Sequence, residues 1–144
     1  MNSFNHFSYG AICEWMYAYM AGIRSDEALP GFRHILLQPV PDTGEQYNEE
    51  SRISHVDAAY ESVYGRIESE WRTQEGELVY YRARIPANTT ATLYLPIMGN
   101  TDIYGRAECL GPSVHNGMQV TVYELVPGEY CFRKTRNSNN FKTE

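Results

Sequence analysis

Cysteine is scarce in this chain. There are three in 144 residues, Cys13, Cys109 and Cys131, and no two of them stand in a C-x-x-C spacing. This excludes a disulfide-dense scaffold and leaves no zinc or thioredoxin-like signature to read. An odd count leaves at least one thiol free, and a Cys109–Cys131 bridge stays open. Basic residues are outnumbered, 12 Lys and Arg against 18 Asp and Glu, for a formal charge of −6. With that balance and no basic cluster, neither nucleic acid nor an anionic membrane surface is an expected partner. The N-terminus lacks the basic segment and cleavage site of a secretory signal, which leaves the compartment open. Residues 4–23 carry one formal charge, at Glu14, but Asn5, His6, Ser8, Tyr9 and Gly10 make the stretch too polar to span a bilayer.

Other absences concern chemistry. Gly99 and Gly105 build no phosphate-binding loop, and no G-x-S-x-G nucleophile elbow occurs. The four histidines, His6, His34, His55 and His115, show no metal-ligand spacing, so neither a metal nor a cofactor is expected. His34, inside an apolar run, reads as a structural or edge residue, and His55 and His115 read as solvated.

What is present is enough apolar material, 42%, to bury a core at this length without covalent staples. Tyrosine is over-represented, 12 against 5 phenylalanines, which suits half-buried positions with one wet end. Both a polar-ligand surface and a β-sandwich have such positions.

Residues 8–23 read as a helix. Ile12, Trp15, Tyr19 and Ile23 recur at helical spacing, Ser8 is placed to cap it and Gly22 to stop it. Cys13, Met16, Tyr17 and Met20 make the opposite side apolar as well, and Cys13 reads as a small buried hydrophobe. A helix apolar nearly all round needs neighbours on more than one side, and nothing else in the chain looks able to supply them. From residue 32 the pattern is that of strands. Phe32 to Leu37 is a short apolar run closed by Pro39 and Pro41, and 42–51 is a polar loop. Val63, Gly65, Ile67, Ser69 and Trp71 alternate with Tyr64, Arg66, Glu68, Glu70 and Arg72, the first set facing a core and the second solvent. Gln74 to Glu77 is a turn, and Leu78 to Ile85 completes a hairpin. Thr89 to Leu95 and weaker runs near 102–109, 119–126 and 129–134 bring the total to seven or eight strands. The expected fold is mainly β, an antiparallel, jelly-roll-like sandwich preceded by one helix.

Two residues stand out chemically. Glu14 is a lone carboxylate in an uncharged helix. It reads first as a structural group paired with an arginine or with backbone amides, and second as an active-site acid. His6, just before the helix, reads equally as a local cap and as an imidazole offered to a cleft. Glu61, Glu68, Glu70, Glu75 and Glu77 read as a solvated sheet face rather than as the facing pair that glycoside hydrolysis uses.

Several segments in order resemble one family. Met1-Asn2-Ser3-Phe4-Asn5-His6, Gly10, Glu14-Trp15-Met16-Tyr17 and Ala21-Gly22-Ile23 resemble the last helical hairpin of bacterial α-L-rhamnosidases. Gly31-Phe32-Arg33-His34-Ile35 with Gln38-Pro39 resembles the link into their C-terminal β-sandwich. Ala59-Tyr60-Glu61-Ser62, Tyr64-Gly65-Arg66-Ile67 and Trp71 resemble its opening hairpin, and Ile85 to Ala91 with Leu95-Pro96 completes the pattern. The resemblance implies a piece of a larger inverting glycoside hydrolase that cleaves terminal α-L-rhamnosyl linkages. It assigns residues 1–31 to the end of an (α/α)6 barrel and 32–135 to the sandwich, while the polar stretch 136–144 reads as a frayed tail. It implies that both catalytic carboxylates lie upstream, so no catalytic residue is expected here, and that His6 matches a sugar-contacting histidine. Met1 would then be internal to the parent or the start of a shortened gene. The expected partners are a rhamnoside or other carbohydrate, the missing barrel and, for the isolated chain, a second copy covering the apolar helix. The rival expectations are a free-standing carbohydrate-binding sandwich and a purely structural oligomer.

Overall fold

A computed structural model of the protein describes residues 5–42 and 52–135, with the side chains of 5–7 outside the description. The residues read as a tail, 136–144, and most of the 42–51 loop lie outside the described residues. The chain starts with a helix, α1 (Asn5–Trp15), which runs on into a wider π-helical segment, Met16–Ala21. Ten strands follow: β1 (Ile23–Ser25), β2 (His34–Leu37), β3 (His55–Ser62), β4 (Gly65–Gln74), β5 (Glu77–Ile85), β6 (Thr90–Pro96), β7 (Thr101–Tyr104), β8 (Ala107–His115), β9 (Met118–Leu125) and β10 (Gly128–Lys134).

The strands form two five-stranded sheets, one in the order β1-β2-β6-β9-β8 and the other β3-β4-β5-β10-β7. Inner-face residues pack between them. Ile35, Leu37, Leu93 and Leu125 come from the first sheet and Ile67, Trp71, Tyr81 and Phe132 from the second, all fully buried. Aromatic contacts join the layers, since Phe132 of β10 meets Tyr123 of β9 at 5.0 Å between ring centroids. The expected mainly-β sandwich preceded by one helix is the fold this chain adopts.

Three local details differ from expectation. The sheets are antiparallel throughout except at β2 and β6, which run parallel with Ile35 opposite Ala91. Among the described residues the strands number ten rather than seven or eight, because β1 is only three residues long, β3 alternates weakly and the run expected near 102–109 divides into β7 and the start of β8. Val63, placed by alternation on the core face, is 89% exposed. It sits in the β3–β4 turn, where the Ser62 hydroxyl donates to Gly65 O at 2.8 Å and accepts from Tyr64 N at 3.2 Å. The inward set of the alternation holds from Ile67 onward, with Ile67, Ser69 and Trp71 buried in the sequence order expected. The β4–β5 turn falls where it was expected, with Glu75 at φ 53° and Gly76 at φ 78°. Two consecutive positive φ values match the right-handed twist of the strands they join.

Candidate functional site

The helix stands out from the sandwich. Every residue from Ser8 to Met16 is exposed, including Tyr9, Ile12, Trp15 and Met16. Among the described residues nothing buries Cys13, which is an exposed free thiol. Glu14 is exposed too, so it is not the buried carboxylate that the uncharged helix suggested. His6 falls in the first turn of α1, and its side chain lies outside the described residues.

Contact with the sandwich begins at Tyr17, whose ring meets Tyr60 edge-on at 5.7 Å, and is completed by the buried Ala21 and by polar anchors. The Tyr17 hydroxyl donates to Ala59 O at 3.0 Å, and the Trp71 indole N–H donates to Met20 O at 2.7 Å. The Ser69 hydroxyl donates to Ala21 O at 2.7 Å, which leaves its oxygen to accept from the buried Tyr81 hydroxyl at 3.1 Å. The last carbonyls of a helix have no partner within it, and here the sandwich supplies donors for two of them. Burial pushes the Tyr81 phenol far above its ordinary range, so it stays a neutral donor. The chain then turns at Gly22, at φ 71°, with Gly22 O accepting from Gln38 N at 2.8 Å. On the open side Trp15 stacks on Tyr19 with centroids 6.3 Å apart, and the Arg24 guanidinium lies 4.4 Å over the Tyr19 ring. With Glu27, Phe32 and Tyr60 these residues border a cleft of about 930 Å³.

The carboxylates of β4 are not the solvated face that alternation suggested. Glu70 is 5% exposed, because Arg72 on its own strand, Arg82 across on β5 and His55 on β3 close over it. Arg72 Nη2 reaches Glu70 Oε1 at 2.7 Å, Arg82 Nε reaches Oε2 at 3.0 Å, and His55 Nε2 donates to Oε1 at 3.1 Å. Glu68 is flanked in the same way by Arg66, Arg82 and Arg84. Burial pushes the Glu70 pKa up, but the hydrogen bonds from Arg72, His55 and Arg82 together outweigh it and hold the group below its ordinary value. A general acid for glycoside cleavage needs the opposite shift, so Glu70 is a structural anion. A carboxylate with a depressed folded pKa stabilises the fold above its unfolded pKa, about 4.3, and loses that contribution as the pH falls through the folded value. Glu70→Gln should therefore lower the melting temperature at neutral pH. The gap from the parent should close as the pH falls from the unfolded value through the lower folded one, and a gap independent of pH would contradict this account.

The other histidines are engaged. His34 Nδ1 lies 2.6 Å from Thr90 Oγ1 and Nε2 lies 2.8 Å from Thr92 Oγ1, while the Thr92 hydroxyl donates to Glu124 at 2.5 Å. Thr92 can then only accept from the ring, which places the neutral imidazole proton on Nε2. This clamp across β2, β6 and β9 agrees with a structural His34. His55 and His115 are not simply solvated: His55 meets Glu70, and His115 stacks on Tyr94 at 3.7 Å. All three cysteines are free, so the Cys109–Cys131 bridge is not formed. Among the described residues no group of three or more His, Cys, Asp and Glu could hold a metal ion. Likewise, no described helix is long and apolar enough to cross a membrane.

The anchors Trp71 and Ser69 were visible in the sequence only as core-face positions. A serine on a strand's buried face was the one signal that a polar partner had to be supplied. Trp71 is buried, as its place in the alternation implied, and offers no surface to a sugar ring.

Residues 22–109 match the bacterial alpha-L-rhamnosidase C-terminal domain family. Over 96 residues, 67% of the chain, the sequence is 36% identical to an alpha-L-rhamnosidase of Streptomyces avermitilis and 33% identical to one of Formosa agariphila. The chain spans only 8% and 9% of those proteins. The crystal structure of the Streptomyces avermitilis alpha-L-rhamnosidase complexed with L-rhamnose superposes with a TM-score of 0.67 at 28% identity, covering 92% of this chain and 12% of that one.

Proposed function

This chain belongs to the family of bacterial alpha-L-rhamnosidase C-terminal domains, and on that premise we propose that it is the closing piece of a glycoside hydrolase that releases terminal α-L-rhamnosyl units. In this reading residues 1–31 end an (α/α)6 barrel, and 32–135 form a sandwich that buttresses it. The preceding barrel covers the face of Tyr9, Ile12, Trp15, Met16 and Tyr19. His6 touches the rhamnosyl unit. The acid and the base of an inverting hydrolysis lie upstream, so the chain is inactive alone. The observation that carries the reading is the helix: among the described residues nothing covers its large apolar side chains, in a chain that spans 12% of the relative it superposes on. A second reading, a free-standing sugar-binding module, draws on the exposed Trp15–Tyr19 stack with Arg24 at its edge.

The test is a graft. The Streptomyces avermitilis enzyme loses its matching C-terminal segment and receives this chain instead. The truncated enzyme and the isolated chain should each fail to release an aryl aglycone from an α-L-rhamnoside, and the chimera should release it. His6→Ala in the chimera should raise KM more than it lowers kcat. Rhamnose release by the isolated chain would overturn the expected inactivity. In the same preparation the isolated chain, at high concentration, should scatter light as more than one copy. A one-chain mass with calorimetric heat on adding rhamnose would favour the sugar-binding module instead.

A further inference from the structure

The β8–β9 hairpin turns on Asn116-Gly117, the one Asn-Gly pair in the chain. Asn116 lies at φ 49° and Gly117 at φ 76°, the pair of positive values that this dipeptide favours in a two-residue turn. Both residues are exposed. β8 is the outermost strand of its sheet and pairs with β9 alone. Gly117 N–H donates to nothing among the described residues. Among those residues the Asn116 amide meets only Gln38, with Nδ2 donating to Gln38 Oε1 at 2.9 Å. Gln38 is 6% exposed and is held at two further points. Its Nε2 donates to His115 O at 3.4 Å, and its backbone N donates to Gly22 O at 2.8 Å.

We infer that Asn116 is a site of spontaneous deamidation whose rate Gln38 sets. The Gly117 nitrogen attacks Asn116 Cγ. The new N–C bond closes a succinimide, the Cγ–Nδ2 bond breaks, and Nδ2 leaves as ammonia with the proton from Gly117 N. Water then adds to either imide carbonyl. Opening at Cγ gives aspartate. Opening at the Asn116 backbone carbonyl gives isoaspartate, with a methylene added to the main chain. Water is taken up, ammonia is lost, and nothing is oxidised or reduced. Glycine permits the attack because no Cβ shields its nitrogen. The bond to Gln38 opposes it, because Cγ must swing toward Gly117 N for the ring to close. The product cannot remake that bond. A carboxylate has no proton to donate, so it faces Gln38 Oε1 acceptor to acceptor. Turning the Gln38 amide over answers the carboxylate but sets Oε1 against His115 O. Either way a buried polar group loses its partner. Modification therefore frees the hairpin tip from the segment that follows β2. The chemistry uses this chain and water only, so it stands apart from the rhamnosidase reading.

The test is ageing of the folded chain at mildly alkaline pH, followed by peptide mapping in the mass spectrometer. The peptide spanning Asn116 and Gly117 should exchange NH2 for OH, with isoaspartate among the products. Asn88 and Asn100, both exposed and each followed by threonine, should change several-fold more slowly. Gln38→Met fills similar space without an acceptor and should speed the change at Asn116 several-fold. The folded parent should in turn react several-fold more slowly than the same chain unfolded in urea, a comparison that needs no variant. Modification at Asn116 no faster than at Asn88 and Asn100 overturns the site. Equal rates in the parent and in Gln38→Met, or in the folded and unfolded parent, overturn control by Gln38. Asn116→Asp, made directly, should lower the melting temperature by a few degrees and should add nothing in the Gln38→Met background. An unchanged melting temperature overturns the release of the hairpin tip.

Discussion

Gly22→Ala is expected to cost the fold about 4 kcal/mol and to lower its melting temperature by roughly 10 °C. Two effects add. The residue sits at φ 71°, where an L side chain is strained, and its Cβ would lie 1.9 Å from Gln38 O and 2.1 Å from Gln38 C. The obstacle is backbone, which cannot swing aside as a side-chain tip can. Moving it breaks the Gln38 N to Gly22 O hydrogen bond and pulls β1 from β2, whose register sets Ile23 opposite Leu37. Gly31→Ala is the control, since Gly31 has φ 78° but nothing within 4 Å of a built Cβ. It should lose only about 1 kcal/mol, the conformational part. Thermal unfolding of both variants separates the two contributions. Equal losses would mean that the Gly22–Gln38 crossing relaxes freely and anchors nothing.

Trp71→Ala is expected to cost about 3–5 kcal/mol, the usual range for deleting a large aromatic from a packed interior. The ring is 1% exposed among the inner-face residues of both sheets, and its N–H holds the end of the helix. Trp71→Phe should cost about 1–2 kcal/mol, because the core stays filled and the main loss is the bond to Met20 O. Urea unfolding followed by far-ultraviolet circular dichroism measures both, and the remaining Trp15, exposed on the helix, serves as a local probe. If Phe were as damaging as Ala, the hydrogen bond rather than the packing would dominate.

How much of this was readable from the residues depends on how local each cause is. The inward set Ile67, Ser69 and Trp71 follows from strand period alone, and the Glu75-Gly76 turn from its chemistry. Val63 was misplaced because alternation does not say where a strand begins. The turn there is closed by the Ser62 hydroxyl, a tertiary detail. The burial of Glu70 needed register: Arg82 stands opposite it on β5 and His55 reaches it from β3, and neither neighbour is near in sequence. Cys13 was read as buried because apolar helices usually are. Its exposure follows from the same observation read the other way, that nothing among the described residues covers it. The π-helical segment Met16–Ala21 has no local sequence cause that we can name. For the site, sequence pattern drew attention to the helix but not to the donors that hold its end, because their partners are backbone carbonyls.

The parallel pairing of β2 with β6 has a consequence for the order of folding. His34 is matched to Thr90, so the first sheet cannot join its two halves until 56 further residues have been made. The second sheet starts differently, since β3, β4 and β5 are neighbours in sequence joined by tight turns and can zip up as they emerge. Local contacts form early and distant ones late. Ser69 and Trp71 therefore take their places on β4 before the sheet holding β1 and β2 is complete. During synthesis the end of the helix, at Met20 and Ala21, waits about fifty residues for the strand whose Ser69 and Trp71 will hold it.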